Sequence, residues 1–201
     1  MGRREDNKAG KRGRLESAAL ESFLAHGYAG SSIARIAASA GVARGTFYLY
    51  HRDKRALFTA LIDSFLEPVL AATTSARDEL AGAATLDATY EVYARLGGRL
   101  VENVLGRPRV ARLVLGEARA AGAGGDIVRA RIERIEGLTR DILADGVGRG
   151  LFRPHDPAAV ALAIVGAIER LAWAALAGAP GATTASLPAE IVLLFRRGLA
   201  A

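Results

Sequence analysis

Cysteine is absent from the 201 residues of this chain. That excludes a disulfide framework and any thiolate metal site, and it is typical of proteins of the reducing cytoplasm. The opening segment, MGRREDNKAGKRGR, has no apolar run of the kind a secretory signal needs, so we expect a cytoplasmic protein. The histidines His26, His51 and His155 have no acidic or histidine neighbour at ligand spacing. We therefore predict no metal site and no cofactor.

Strand alternation, internal repeats and phosphate-binding loops are also missing. The glycine-rich stretch GAGGD has no strand before it, which a nucleotide loop requires. Serines and acidic residues occur without a nucleophile elbow or a paired-carboxylate setting, so we predict no catalytic residues and no enzyme. Apolar residues recur at three- and four-residue steps instead, which favours an all-α chain of about nine helices.

Positive charge is gathered at one end of the chain. Residues 1–55 contain 11 Lys and Arg against 5 Asp and Glu, whereas residues 56–201 contain 16 of each. The whole net charge of +6 therefore lies in the first quarter. Because basic side chains release counterions from phosphates, this distribution suggests a DNA reader joined to a neutral appendage. We interpret residues 1–13, rich in glycine and arginine, as a flexible basic arm.

The most apolar stretch, Ala158 to Ala177, is long enough to cross a membrane. Glu169 and Arg170 lie in its middle, and each costs about 2.5–3.5 kcal/mol at a bilayer centre. A helix that is apolar nearly all round is otherwise buried between partners. We expect no membrane contact, and a buried position for residues 158–177.

Residues 31–54, SSIARIAASAGVARGTFYLYHRDK, predict two short helices that meet at a glycine. Ile33, Ile36 and Ala37 give the first helix an apolar face, and Ser31 or Ser32 can cap its N-terminus. Gly41 supplies the positive φ that the bend requires. A second helix is predicted over residues 43–50. This is the helix-turn-helix pattern, whose second helix enters a DNA major groove.

The segments AHGY, IARIAASA and GVARGTFYLYHRDKRAL together resemble the DNA-binding domain of the tetracycline-repressor (TetR) family of bacterial transcription regulators over residues 14–58. Two positions depart from the family pattern. Ala43 stands where Ser or Thr is usual, which removes a cap or phosphate contact, and His51 stands where Phe is usual. The resemblance and the helical pattern together predict these DNA-binding residues: Ser32, Ala43, Arg44, Gly45, Thr46, Tyr48, Tyr50 and Lys54.

The resemblance also implies the organisation of the chain. It predicts a helix-turn-helix DNA-binding domain over residues 14–55 and a helical ligand-binding and dimerisation domain over residues 56–201. The last two helices, about 158–177 and 188–200, would pair with those of a second subunit. An inducer pocket in the C-terminal domain would be lined by aromatic, aliphatic and acidic side chains drawn from these candidates: Phe65, Tyr90, Tyr93, Leu113, Glu117 and Trp173.

The functional expectation is a homodimeric transcriptional regulator, in particular a repressor, that binds a palindromic operator in double-stranded DNA and is released by a small-molecule inducer. The fourth helix, beginning at Lys54, would join the two domains and act as the lever between them. A different class of protein stays open: a ligand-binding or carrier dimer that retains a vestigial helix-turn-helix. The basic first quarter of the chain argues against it.

Overall fold

The computed structural model describes residues 3–179 and 187–199. These residues form nine helices and no β-strand, which confirms the predicted all-α fold. In chain order the helices are α1 (Arg3–Gly30), α2 (Ile33–Ser39), α3 (Arg44–Phe47), α4 (Lys54–Gly82), α5 (Leu86–Gly106), α6 (Pro108–Glu117), α7 (Ala123–Gly148), α8 (Pro157–Leu176) and α9 (Leu187–Leu199).

Polar side chains cap the N-termini of α8 and α5. The Asp156 carboxylate accepts hydrogen bonds from the backbone N–H groups of Ala158 and Ala159, with Pro157 in the first turn. The Thr85 hydroxyl accepts from the N–H of Ala88 at 3.2 Å and caps α5 in the same way. These side chains satisfy donors that a helix N-terminus otherwise leaves without a partner.

The first helix is longer than the sequence predicts. It begins at Arg3, so it includes residues 3–13 of the segment that was predicted as a flexible basic arm; the role of this segment stays a prediction. Residues 1 and 2 lie outside the described part of the chain. Arg and Lys are good helix formers, and Arg12 pairs with Glu16 one turn later at 2.8 Å. These contributions offset the cost of Gly10 and Gly13.

The C-terminal ends of α4 and α3 are set differently. Helix α4 runs to Gly82 and contains Pro68. The hydroxyls of Thr73 and Thr74 donate to the carbonyls four residues earlier, both at 2.9 Å, as the helix continues past that proline. Helix α3 ends at Phe47, and residues 48–50 follow as turns rather than as regular helix.

The chain divides into two compact units. The first combines the chain up to Phe65 with Arg109–Arg129, and the second combines Leu66–Pro108 with the chain from Ala130 onward. Packing therefore places the end of α6 and the start of α7 in the same unit as the helix-turn-helix. The predicted boundary between residues 55 and 56 is a functional division, and it stays a prediction.

The first unit is built on aromatic rings. Phe23, Phe47 and Phe58 are buried, and the rings of Phe23 and Phe58 meet edge to face with centroids 5.1 Å apart. The Tyr28 ring lies 4.8 Å from Phe58. Ile36 is fully buried in the same unit, as predicted, while Ile33 is only half-buried. This core fixes α2 and α3 from below.

The second unit contains two apolar clusters. Ala76, Leu80, Val92 and Ile142 form the first, and Leu143, Phe152, Ala161 and Leu199 form the second. Tyr93 packs against both clusters, and its burial raises the pKa of its hydroxyl. The phenol therefore stays neutral at any physiological pH.

Helices α4 and α8 are long and apolar enough to cross a membrane by length and composition alone, with mean hydropathies of 1.4 and 1.8. Core helices of other proteins pass the same test, so it is a weak indication. Helix α8 is little covered within one chain, and Leu162 and Trp173 on it are 62% and 43% exposed. Because these residues are eleven positions apart, they share one helix face.

Candidate nucleic-acid interface

The bend between α2 and α3 has the geometry that the sequence predicts. Ser32 is the N-cap of α2, and its hydroxyl accepts a hydrogen bond from the N–H of Arg35 at 3.3 Å. Gly41 has φ +66°, a conformation that L side chains rarely adopt. Its N–H donates to Ala38 O at 3.1 Å, and the N–H of Val42 donates to Ala37 O at 3.0 Å. The glycine thus reverses the chain within a few residues.

Helix α3 is anchored on one side and open on the other. Phe47 is fully buried, and its ring meets that of Tyr48 edge to face at 5.4 Å. Of the predicted DNA-binding residues, five are exposed and three are half-buried. The exposed ones are Ser32, Ala43, Arg44, Gly45 and Tyr48, and the half-buried ones are Thr46, Tyr50 and Lys54.

Ala43 and Gly45 are small, so no side chain at these two positions projects far from the α3 backbone. Ala43 is the N-cap residue of α3 and makes no side-chain capping bond, as expected from the absence of a hydroxyl. A Cβ atom built on Gly45 would meet no protein atom within 4 Å, so the packing within the chain does not require glycine there. A bulkier residue at this position would project into whatever approaches the helix.

Lys54, one of the predicted DNA-binding residues, makes contacts within the protein, and its role in DNA binding stays a prediction. Its ammonium group donates to the carbonyl oxygens of Tyr28 at 2.7 Å and Ser31 at 2.9 Å, and it lies 4.3 Å above the centroid of the Tyr28 ring. Two of its three N–H donors are therefore engaged within the protein. The side chain holds the segment before α2 against the start of α4.

Asp53, the residue before Lys54, caps the N-terminus of α4. Its carboxylate accepts from the N–H of Ala56 at 2.7 Å and pairs with Arg52 at 3.1 Å. The bond from the Ala56 N–H, first, and the pairing with Arg52 hold the pKa of this carboxyl below its ordinary value. The cap is therefore ionised at neutral pH.

His51 occupies a core position. It is 6% exposed, its ring lies 5.8 Å from that of Phe47, and its Nε2 has no hydrogen-bond partner among the described residues. Burial lowers the pKa of this imidazole, an effect that the nearby Glu16 partly offsets. The ring is consequently neutral at pH 7 and serves the core as an aromatic would.

Two exposed residues of this surface were not among the predictions. Leu49 is 75% exposed between Tyr48 and Tyr50, and Arg35 is exposed on α2. Leu49 follows Thr46 by three positions, a spacing that puts both on one side of the turn. That spacing was available in the sequence, but an apolar residue beside Phe47 reads as core until its exposure is known.

The candidate ligand residues are divided equally between the two units. Phe65, Leu113 and Glu117 are buried in the first, while Tyr90, Tyr93 and Trp173 belong to the second. The Glu117 carboxylate accepts a hydrogen bond from the N–H of Tyr28 at 2.8 Å, so it already serves the protein itself. Trp173 is 43% exposed rather than enclosed.

An open groove runs along one face of α4 in the second unit. None of the six candidate ligand residues lines it. Its lining residues are Glu67, Leu70, Ala71, Thr74, Ser75, Asp78 and Glu79. Within residues 3–179 and 187–199, no three metal-ligating side chains come together closely enough to hold an ion.

Helix α3 rests on the buried Phe47 and exposes Arg44; it follows a glycine bend and is followed by the exposed Tyr48. This arrangement is that of a helix-turn-helix DNA-binding protein. Residues 16–61 match the family described as bacterial regulatory proteins, tetR family. Residues 90–175 match the tetracyclin repressor-like C-terminal domain. The two matches together cover about two thirds of the chain. The chain belongs to the TetR family of bacterial transcriptional regulators.

Solved structures show the same fold over nearly the whole chain. A tetR-family regulatory protein from Rhodococcus RHA1 is 24% identical, with a TM-score of 0.70 and coverage of 94% of this chain and 97% of that one. FadR from Bacillus subtilis in complex with stearoyl-CoA is 22% identical (TM-score 0.66, coverage 90% and 95%). The fatty acid degradation regulator FadR from Bacillus halodurans is also 22% identical (TM-score 0.67, coverage 90% and 95%). No curated protein matches the sequence significantly.

Proposed function

We propose that this protein is a homodimeric, ligand-responsive repressor that binds a palindromic operator and is released by a small-molecule inducer. The observation that carries the proposal is the outward face of α3, with Arg44, Gly45 and Tyr48 exposed on a buried Phe47. It lies in the part of the chain that holds the entire net positive charge. Two such faces related by a two-fold axis would enter major grooves about 34–36 Å apart.

Each residue of this face has a distinct role in the proposal. The guanidinium of Arg44 forms a bidentate pair with guanine, which is worth about 1–3 kcal/mol of discrimination. Gly45 and Ala43 let the α3 backbone approach the DNA closely. Thr46, Tyr48, Tyr50 and the Ser32 hydroxyl contact phosphates and base edges. We include Leu49 among the DNA contacts because it is exposed and an apolar side chain can contact the methyl group of thymine. Lys54 supports DNA binding by fixing the corner before α2.

Dimerisation is assigned to the last two helices, as the sequence predicts. Leu162 and Trp173 on α8, and Leu193 and Leu194 on α9, are at least 40% exposed in a single chain. In a symmetric dimer each of these residues is buried twice, once in each copy. The same domain, residues 56–201, is proposed to bind the inducer, with residues 14–55 as the DNA-binding domain and α4 as the lever between them.

The proposed inducer class is a long-chain acyl-CoA. FadR from Bacillus subtilis, which shares this fold, was solved with stearoyl-CoA. Within the second unit, the buried Tyr90 and the half-buried Tyr93 are the aromatic candidates that suit an acyl chain. An inducer acts only through its difference in affinity between the DNA-competent and DNA-incompetent forms.

Gel-shift titration of the full chain with its own upstream region tests the proposal. We expect specific binding that weakens steeply as salt is raised, because phosphate contacts release counterions. Stearoyl-CoA, free stearate and free CoA are then added separately, and stearoyl-CoA alone is expected to release the DNA. A protein that binds acyl-CoA but no duplex at low salt would instead be the carrier dimer with a vestigial helix-turn-helix. DNA binding that ignores all three compounds would reject this inducer class.

A further inference from the structure

Residues 27–31 form the corner before α2, which includes the kinked end of α1. Contacts from α4 and α6, as well as from α1 itself, hold this corner. Gly27 breaks α1 with φ +66° and ψ 174°, which turns the following backbone out of the helical hydrogen-bond pattern. The N–H of Tyr28 donates instead to Glu117 Oε1 at 2.8 Å, a residue 89 positions later in the chain. A sidechain-to-backbone bond of this range fixes the corner relative to α6.

The same corner is tied on its other side by side chains close to it in sequence. The Ser31 hydroxyl donates to Gly27 O at 2.9 Å and accepts from the Ser22 hydroxyl at 2.9 Å, and both serines are buried. The Lys54 ammonium group donates to the carbonyl oxygens of Tyr28 and Ser31. A side chain of α4 therefore binds two carbonyls of the corner, and Glu117 of α6 accepts from the Tyr28 N–H.

Glu117 is built into this place rather than free to leave it. It is the last residue of α6 and is 7% exposed, and its carboxylate packs against Gly124 in the first turn of α7. A Cβ atom on Gly124 would overlap that carboxylate and come 2.7 Å from the Cβ of Tyr28. Only glycine leaves room for the three groups. The N-terminus of α7 also presents the positive end of its dipole to the carboxylate.

The corner between α6 and α7 is itself closed by polar contacts. The Arg129 guanidinium donates to Ala120 O at 2.8 Å and to Ala118 O, and it pairs with Asp126. It therefore satisfies carbonyls left at the end of α6. Glu117 consequently projects from a rigid corner, and a shift of that corner moves the acceptor of the Tyr28 N–H with it.

We propose that Glu117 is a positioning residue for the DNA-reading helices: it sets the corner before α2, and hence the pose of α2 and α3, from the corner between α6 and α7. The proposal extends the proposed function, because it names the contact through which the state of α6 and α7 acts on the reading face. It replaces a ligand-binding role for Glu117, since the carboxylate is buried and already accepts from Tyr28.

Amide hydrogen exchange of the full-length protein tests this directly, with Glu117→Ala, Glu117→Gln and Gly124→Ala as variants. Glu117→Ala removes the carboxylate that accepts from the Tyr28 N–H. Gly124→Ala keeps Glu117 in the sequence, but its added Cβ pushes the carboxylate away from that N–H. We expect both to speed exchange of the Tyr28 amide about tenfold or more, and that of the α2–α3 amides beside it, because exchange reports local opening. Glu117→Gln keeps an acceptor oxygen and should retain most of the protection. The exposed Glu102→Ala on α5 is the matched control and should change nothing.

Two outcomes would overturn the proposal. In the first, Tyr28 exchanges at the parent rate in Glu117→Ala. In the second, Tyr28 exchanges faster while residues 33–47 keep their protection, which would make the contact a local one. Should Glu117→Ala fold poorly, Gly124→Ala and Glu117→Gln give the same contrast. None of these readouts needs an operator. A parent protein that bound no DNA would therefore defeat the proposed function while the exchange data still decided the role of Glu117.

Discussion

The first packing unit and the α8–α9 region differ in the exposure of their large apolar residues. In the first unit Leu15, Phe23, Ile36 and Phe47 are all at most 1% exposed, so its core is completed within one chain. Leu162 on α8 and Leu194 on α9 are 62% and 70% exposed. Large exposed apolar faces mark interaction sites rather than ordinary surface. The contrast supports the proposal that the α8–α9 region, rather than the first unit, contacts a second copy of the chain.

The difference extends to the polar contacts. Around the reading helices, Ser22, Ser31, Lys54 and Glu117 form hydrogen bonds that connect α1, α4 and α6 to a single corner. Such contacts are directional and fix one arrangement, whereas an apolar face accepts a partner mainly by area. A DNA reader needs the first property because its side chains must meet base edges in register. A dimer interface needs the second.

The substitution with the greatest predicted consequence lies on the exposed apolar face of α8. Leu162→Glu puts a charge into the α8 face in both copies, and each lost leucine burial is worth about 1.5–3 kcal/mol before the cost of the charge. We expect a dimer to become a monomer in sedimentation velocity. Leu105→Glu is the control, since Leu105 is 54% exposed at the end of α5. A Leu162→Glu protein that sediments like the parent would place the interface elsewhere.

The next substitution removes hydrogen bonds that hold the corner before α2. Lys54→Ala leaves the carbonyls of Tyr28 and Ser31 without their donor, at a cost of about 1–3 kcal/mol if they stay shielded from water. We expect a lower urea midpoint and weaker binding to every DNA sequence alike. The neighbouring exposed residue gives the control, Arg55→Ala, which should change stability little. Unchanged stability in Lys54→Ala would show that water replaces the ammonium at no cost.

A smaller and more selective effect is expected on the reading face. Arg44→Ala removes the proposed guanine contact, worth about 1–3 kcal/mol at one base pair, and leaves the fold intact because Arg44 is exposed. Binding to operators substituted at single positions should show lost preference at one position per half-site. Arg12→Ala, which removes an exposed arginine of α1, should keep the parent preferences. Loss of affinity without loss of preference would reassign Arg44 to a phosphate.

The smallest effect concerns pH. The pKa of His51 is lowered from 6.5 in the folded chain by burial, so the unfolded chain takes up this proton first as the pH falls. Stability therefore decreases from about pH 6.5 down to the folded pKa and then levels off. The pKa of Asp53 is lowered from its ordinary value, so α4 loses its Asp53 cap only in stronger acid.

Urea unfolding of the parent and of His51→Phe between pH 5 and 8 measures the His51 contribution. Phenylalanine keeps an aromatic ring beside Phe47 and cannot take up a proton. We expect the two proteins to differ in the slope of stability against pH rather than in fold. Identical slopes would mean that His51 titrates alike in the folded and unfolded chains.

Sequence reasoning succeeded where the decisive contacts are local. The Ser32 cap, the Gly41 bend and the Asp53 and Asp156 caps each involve residues within five positions of one another, so their chemistry is visible in the sequence. The all-α fold follows from the same short-range patterns. The helix over residues 3–13 was not expected, because the glycines of this segment were given more weight than the helix-forming residues around them.

The long-range contacts could not be predicted in this way. Glu117 and Tyr28 are separated by 89 residues, and no spacing in either segment indicates that they meet. Lys54 has the position of a phosphate contact by resemblance, yet its ammonium is directed at Tyr28 and Ser31. The six ligand candidates were chosen by residue type alone; they belong to both units, and their role stays a prediction.

Whether two copies of the chain read a symmetric site can be measured by selecting sequences from a random duplex library with the full-length protein and then determining the mass of the complex with the selected sequence. We expect a two-fold symmetric sequence whose half-site centres are about one helical turn, 34–36 Å, apart. We also expect two chains for each duplex, or a multiple of two. Selected sequences without symmetry, a complex with one chain, or no enrichment at low salt would contradict this expectation.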